Sequence, residues 1–491
     1  MLSELGLGLA LCLSISPFQV IASTAAPSPA APPPLLQPTA MTPSTALSAA
    51  FTTALAAEMD AFVQAHADHR QFMGTVLVVR DGETVLGQAY GLADLEQQIP
   101  HSLDTRFPIG SVTKQFTAAA ILQLQDRGLL NVQAPVATYL PDYPNDTITL
   151  HHLLTHTAGL PNFTSDPDYL EWMQQPATLD ELIARFQDLP LEFEPGSQFR
   201  YSNSGYVLLS QVIETLSSQS YGDYVQDNLL TPLGMENTGY DQPSPVHSLA
   251  QGYRGNAQDY QSVPSTHPTT AQGAGGLYST VGDLARWNQA LFGNLPSDHA
   301  VLSEAAISAM TSPQVSVDMA AAPDLYYGYG LVINNQSENR LIGHGAGISG
   351  FVSSLLYLPA QDTTIVVLSN VESINPEQIS AGLAAILLGE FYDLPQALDA
   401  VTVDAALLER YMGTYQLAPE FQITITVKDG QLYAQGTGQP AIALYPASDT
   451  EFFALAPELR IVFNLTESGA VESLTLNQGG QNTVAPRSVT R

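Results

Sequence analysis

The sequence predicts an α/β (α+β) protein in two parts: a mixed antiparallel sheet with helices and an all-α region, then a small antiparallel all-β unit. Three observations carry this. Strand-like segments lie early, at Thr75–Arg80 and Thr84–Tyr90, and again late, from Tyr329 to Asn370, so one sheet draws on both ends of the main body. The stretch between them is rich in helix-like runs. Beyond Ala400 the pattern turns to period two. About 440 residues follow the N-terminal leader and tether, too many for one core of ordinary size.

Taken in order, residues 5–22 form an apolar run followed by small residues, which reads as a secretory leader cleaved between Ala22 and Ala26. A signal peptide at 1–26 and a secreted or periplasmic protein are therefore expected. The usual basic flank is missing, since Glu4 is the only charge, and Ser14, Ser16 and Pro17 interrupt the run that a spanning helix would need. Cys12, the only cysteine, falls in this leader and gives the mature chain neither disulfide nor thiol nucleophile. Residues 27–50 read as a Pro/Ala-rich tether. The first domain is expected over 51–392. It opens with an amphipathic helix near Thr53–His66 and a hairpin turning at Asp81-Gly82. A helix over Ser111–Arg127 is framed by Gly110 and Gly128, and a closing helix falls near Gln378–Leu388.

A boundary is expected around Tyr392–Ala400, and a second domain over 402–491. Phe421–Val427 alternates with period two, Asp429-Gly430 offers a turn, and further strands read at Gln431–Gln435, Glu451–Leu455, Arg460–Leu465 and Val471–Leu476. No other stretch is long and apolar enough to cross a membrane. The net charge of −32 repels phosphate, which argues against nucleic acid and anionic lipid as partners. A small molecule or peptide substrate remains. No feature specifies an oligomeric state.

Only two lysines occur, and one of them, Lys114, sits three residues after Ser111. A serine hydroxyl must hand its proton to a base as it attacks, and lysine can be that base where burial or nearby cations lower its pKa; arginine cannot. On a helix, positions i and i+3 share a face, so the Lys114 amine can reach Ser111 at the helix start. That end also offers free N–H groups and partial positive charge to a developing oxyanion. A serine three residues before a given lysine arises by chance on the order of one time in ten, so the pair needs companions. Tyr201 and Asn203 supply a phenol for proton shuttling and a carboxamide to orient the lysine or a substrate amide. His344 and Gly347 lie in a glycine-rich stretch where a substrate can run against a strand edge.

With these motifs in order, the chain resembles the serine beta-lactamase and penicillin-binding superfamily. The likeness is to the branch with class C beta-lactamases, D,D-peptidases, D-aminopeptidases and family VIII-type esterases. The phrases Leu153–Pro161 and Gly275–Arg286 look like the same family, and the resemblance covers roughly residues 55 to 390. It implies that Ser111 is the acylated nucleophile, Lys114 its general base and Tyr201 the proton shuttle. Asn203 and His344 would bind substrate, and the N–H groups of Ser111 and Gly347 would form the oxyanion hole. No cofactor is implied. Where class C enzymes carry K-T-G, this chain reads His344-Gly-Ala346, which replaces a fixed charge with a titratable imidazole. Recognition of a substrate carboxylate is then expected to be weak and to vary with pH around 6.5. The expected substrates are D-amino-acid peptides, small carboxylic esters and, poorly, beta-lactams. The C-terminal unit looks like the lipocalin-like β-barrel often appended to such hydrolases, with Tyr411–Tyr415 as its opening phrase. Two rivals are a catalytically idle protein that binds peptidoglycan fragments, and a zinc hydrolase built on His151, His152 and His156. The second lacks the Glu of H-E-x-x-H and an evident third ligand, so no metal site is expected.

Overall fold

The computed structural model describes residues 45–69, 72–240, 249–256, 259–293, 300–317, 324–335, 339–394, 403–418, 421–428, 430–437, 441–455, 458–466, 468–478 and 481–488. The expected leader, the tether up to residue 44 and the end of the boundary segment, from 395, lie outside the described residues, as does Asp429 of the expected hairpin turn.

The main sheet has eight strands: β1 (Gly74–Arg80), β2 (Glu83–Tyr90), β3 (Val315–Ser316), β4 (Leu325–Tyr327), β5 (Val332–Asn334), β6 (Leu341–Ile348), β7 (Phe351–Leu358) and β8 (Thr363–Ser369). Their order across the sheet is β2-β1-β8-β7-β6-β5-β4-β3, with every neighbouring pair antiparallel. The β1–β2 turn places Asp81 and Gly82 at φ 50° and 78°, the two-residue pattern whose twist matches the flanking strands. β8 is buried along its whole length and sends Ile365 and Val367 to one face, Val366 and Leu368 to the other.

The helices that matter below are α1 (Thr45–Asp68), α2 (Thr113–Asp126), α3 (Leu150–Leu154), α4 (Asn203–Ser217), α5 (Pro268–Gly275), α6 (Val281–Phe292), α7 (Pro376–Leu388) and α8 (Ala405–Tyr411). α1 begins ahead of the expected Thr53, within what reads as tether, because Thr45–Ala50 is dominated by strong helix formers. With α7 it covers the Val76, Val78 and Ile365 face through Leu55, Met59, Phe62, Ile379 and Leu383. The two helices approach so closely that a Cβ on Gly382 would stand 2.2 Å from the Phe62 ring.

The opposite face carries the all-α region, whose axis is α2. Every residue from Thr113 to Leu124 is buried, so this helix is enclosed all round, unlike a surface helix with one apolar stripe. Its polar positions are bonded through at least one atom, although Gln115 Nε2 has no hydrogen-bond partner among the described residues. Gln115 accepts from the Trp287 indole of α6 at 2.8 Å, Phe116 stacks on that indole at 4.2 Å, and Thr117 donates to Gly273 O at 2.7 Å.

The C-terminal unit is an eight-stranded antiparallel meander, β9 (Gly413–Ala418), β10 (Phe421–Lys428), β11 (Gln431–Gly436), β12 (Ala441–Pro446), β13 (Glu451–Leu455), β14 (Glu458–Leu465), β15 (Val471–Gln478) and β16 (Gln481–Pro486). A bridge between Tyr415 and Arg487, with Ser488 N–H donating to Thr414 O at 2.7 Å, nearly closes it into a barrel. Tyr411, Tyr415, Phe452 and Phe463 fill the interior, with Tyr411 and Phe463 stacked at 4.0 Å. The Asp404 carboxylate caps α8 by accepting Ala406 N–H at 2.9 Å.

Candidate active site

Ser111 does not start the long helix, as the spacing predicts, but lies in a short 3₁₀ turn over Gly110–Val112 that feeds α2 at Thr113. The reason is Gly110, at φ +47°, which redirects the chain just before the serine. The turn rests against β6: a Cβ on Gly110 would meet Ala346 Cβ at 3.3 Å and Gly347 O at 3.4 Å. β5 pairs β6 only from Leu341 to Gly343, so among the described residues no further strand pairs on that side from His344 to Ile348, and this stretch faces the serine turn. Space beside Gly347 is open, and Ser111 is partly exposed.

One turn into α2, Lys114 is completely buried and its Nζ reaches Ser111 Oγ at 3.1 Å, Asn203 Oδ1 at 2.8 Å and Ala274 O at 2.8 Å. The last two can only accept, so they consume two N–H groups. A neutral amine therefore keeps its lone pair directed at the serine. Both acceptors are uncharged, so neither favours the ammonium as a carboxylate would. From the other side Tyr201 OH meets Ser111 Oγ at 2.8 Å. Asn203 is held in turn: its Nδ2 donates to Thr164 Oγ1 at 3.1 Å and its backbone N–H to Asn162 Oδ1 at 3.0 Å, at the start of α4.

Two contributors, Ala274 and Tyr327, escape the sequence reading, and His156 enters it only as a candidate metal ligand. Ala274 enters through its backbone carbonyl, presented by α5 because Gln272 breaks the helix at φ 46°, ψ −147°. His156 packs on the Tyr201 ring at 4.1 Å and accepts Ser202 N–H at 3.2 Å through Nδ1. Tyr327 donates to His344 Nε2 at 3.0 Å, while His344 Nδ1–H donates to Gly345 O. A carbonyl only accepts, so the proton sits on Nδ1 and both ring nitrogens are engaged.

The histidine cluster does not converge. α3 ends at Leu154 and His156 adopts a left-handed φ of 58°, so His152 and His156 share no helix face. His152 caps its own helix with Thr149, and His151 Nδ1 pairs with Tyr329 OH at 2.8 Å. Among the described residues no three His, Cys, Asp or Glu side chains gather as a metal site.

Residues 59–390 match the family described as Beta-lactamase, well over half of the chain. The chain belongs to the beta-lactamase family. A domain of unknown function, DUF3471, matches residues 397–486. This beta-lactamase family chain is 30% identical over 442 residues to Penicillin-binding protein 4* of Bacillus subtilis (strain 168), across 84% of its own length and 95% of that protein. It is 28% identical over 323 residues to D-aminopeptidase of Brucella anthropi, across 64% of its own length and 59% of that protein. The octameric penicillin-binding protein homologue from Pyrococcus abyssi matches with a TM-score of 0.62 at 25% identity, over 87% of this chain and 99% of that one. Family membership makes this a serine beta-lactamase-like hydrolase at the coarse level.

One expectation is corrected. Beta-lactamase relatives with K-T-G hold a fixed cation on this strand, and His344 reads from sequence as a partial substitute that titrates near 6.5. The structure buries it, and burial, reinforced by the nearby Lys114 charge, pushes its pKa down to about 3. His344 is therefore a neutral imidazole throughout the ordinary pH range. His156 is held well below its usual value by burial, then by Lys114 and His344.

Proposed function

We propose that this protein is a serine hydrolase that forms an acyl-enzyme at Ser111 and releases it with water, acting on D-amino-acid peptides or small carboxylic esters. Lys114 Nζ takes the proton from Ser111 Oγ as that oxygen bonds to the carbonyl carbon. The oxyanion that forms is held by backbone N–H groups of Ser111 and Gly347, the second on the stretch of β6 beyond its pairing with β5, along which an extended substrate can lie. Collapse breaks the bond to the leaving group, which takes a proton from Tyr201, and the proton held on Lys114 restores the phenol. Water then attacks the acyl carbon, gives its proton to the same pair, and Ser111 Oγ departs protonated.

The observation that carries this reading is the Lys114 amine, with two N–H groups fixed by neutral acceptors and its remaining position on Ser111 Oγ. A binding protein has no use for a nucleophile flanked by both a base and a phenol. The test is intact mass after incubation with a p-nitrophenyl ester and with a D-alanine amide. An acyl adduct on the wild type that vanishes in Ser111→Ala is expected. Turnover that survives in Ser111→Ala, without an adduct, sinks the proposal.

A further inference from the structure

His156 takes no part in the proposed chemistry, yet the fold holds it at a cost on three counts. Its backbone is left-handed at φ +58°, its imidazole is buried, and one ring nitrogen goes unpaired. Nδ1 accepts the Ser202 N–H at 3.2 Å, so the ring proton sits on Nε2, which is buried without a hydrogen-bond partner among the described residues. An apolar ring would fill the same space and leave no donor unpaired. Costs of this kind gather where function requires them.

What His156 touches is the chain around the phenol. Its carbonyl accepts Arg200 N–H at 2.9 Å and its Nδ1 accepts Ser202 N–H, so one residue grips the backbone on both sides of Tyr201. Its ring lies on the Tyr201 ring at 4.1 Å, 34° from parallel, with Tyr327 at 4.8 Å and Tyr206 at 5.2 Å closing round it. The hydroxyl carried by that Tyr201 ring stands 2.8 Å from Ser111 Oγ. Asn203, next along, has two holds of its own, Asn162 Oδ1 on its N–H and Thr164 Oγ1 on its Nδ2. Loss of the grip on Ser202 therefore acts first on Tyr201.

We propose that His156 is a positioning residue for the reaction: by gripping the chain on both sides of Tyr201 it aims the phenol at the departing group. The inference rests on the hydrolase reading above and deepens it. As the bond from the acyl carbon to the leaving oxygen breaks, the phenol proton passes to that oxygen. An alkoxide needs this proton to depart, whereas p-nitrophenolate is stable enough to leave without it, so a misaimed phenol slows the first and spares the second. A residue that only supported the fold would slow both alike.

The methyl and p-nitrophenyl esters of N-acetyl-D-alanine test it, since both yield the same acyl-enzyme and kcat/KM reports its formation. His156→Phe keeps a ring and removes the acceptor. His156→Asn removes the ring, offers Oδ1 to the Ser202 N–H and tolerates the left-handed backbone. For His156→Phe, kcat/KM should fall on the order of 10²-fold with the methyl ester and less than about fivefold with the p-nitrophenyl ester. His156→Asn should restore at least about tenfold of the methyl-ester loss. In a Tyr201→Phe background, where the group being aimed is gone, His156→Phe should cost the methyl ester less than about threefold. His156→Leu, which also lacks the acceptor, serves if His156→Phe does not fold. Equal losses with the two esters, wild-type rates in His156→Phe, an Asn variant no better than the Phe variant, or an undiminished loss in the Tyr201→Phe background each overturn the positioning role while the hydrolase stands. Absence of any acyl adduct on wild-type Ser111 from either ester takes the hydrolase reading down and this inference with it.

Discussion

Lys114 holds Asn203 Oδ1 and Ala274 O, both neutral, and the chemistry depends on that neutrality. Asn203→Asp puts a carboxylate where the amide oxygen lies 2.8 Å from Nζ. The ammonium gains stability, and the alkaline rise of the acylation rate should move up by about 1–3 pH units. A kcat/KM profile of wild type and variant measures this; superimposable limbs would remove Lys114 from the role of base. His344 provides the complementary expectation. With its pKa held at about 3, His344→Gln should change the rate but leave the profile between about pH 5 and 8 without a lost or gained inflection near 6.5. The sequence singled out Ser111, Lys114, Tyr201 and Asn203, which the fold brings within hydrogen-bond reach of one another, because each proposed role demands one side-chain type at a set distance along the chain. It did not disclose Ala274, whose contribution is a carbonyl that any residue owns. Nor did it reveal the charge state of His344, which is a property of burial.

At the scale of elements, the site depends on backbone at two places. Gly330, at φ +74°, lies against α2 so closely that a Cβ would stand 2.7 Å from Lys114 O. Gly330→Ala should cost about 1–3 kcal/mol from the left-handed conformation, with the clash added, and should lower acylation by displacing Lys114. Denaturant unfolding beside kcat/KM separates the two, and a variant equal to wild type in both would mean the backbone yields freely. Gln272 is the second place. Its strained conformation turns α5 so that Ala274 O meets Lys114, while Tyr240 OH donates to its side chain at 2.9 Å. The long elements were legible: the β1–β2 hairpin, α2, α7 and the alternating barrel strands all follow periodicity and punctuation. β3 and β4 were hidden, since two or three residues are too few to show a period. The i, i+4 spacing of His152 and His156 puts no pair on one helix face, because the helix stops at Leu154.

For the whole molecule, buried ionisable groups bracket stability from both sides. Burial pushes His66 and His101 down to about 4. Between that value and 6.5 the unfolded chain binds more protons than the folded one, so stability falls as the solution is acidified through this window. Glu377 acts in the opposite sense. Its Oε2 is buried without a hydrogen-bond partner among the described residues, and burial raises its pKa to about 8. Here the folded chain binds the extra proton, so stability declines from about 4.5 upward and is lost through 8. The thermal midpoint should therefore peak near pH 6.5, and Glu377→Gln should flatten the alkaline side; an unchanged alkaline slope would mean that the carboxyl is solvated. The charge of −32 adds self-repulsion that salt screens, so the midpoint should also rise between about 10 mM and 1 M NaCl. The pairing of β1 with β8, Gly74 opposite Ser369 and Arg80 opposite Thr363, sets the timing of biogenesis. A ribosome adding about 5–20 residues per second needs roughly 15–60 s to travel from one strand to the other. Throughout that interval the β1–β2 hairpin has an open edge and no sheet to join, so the hydrolase unit cannot close during synthesis until nearly all of it has emerged.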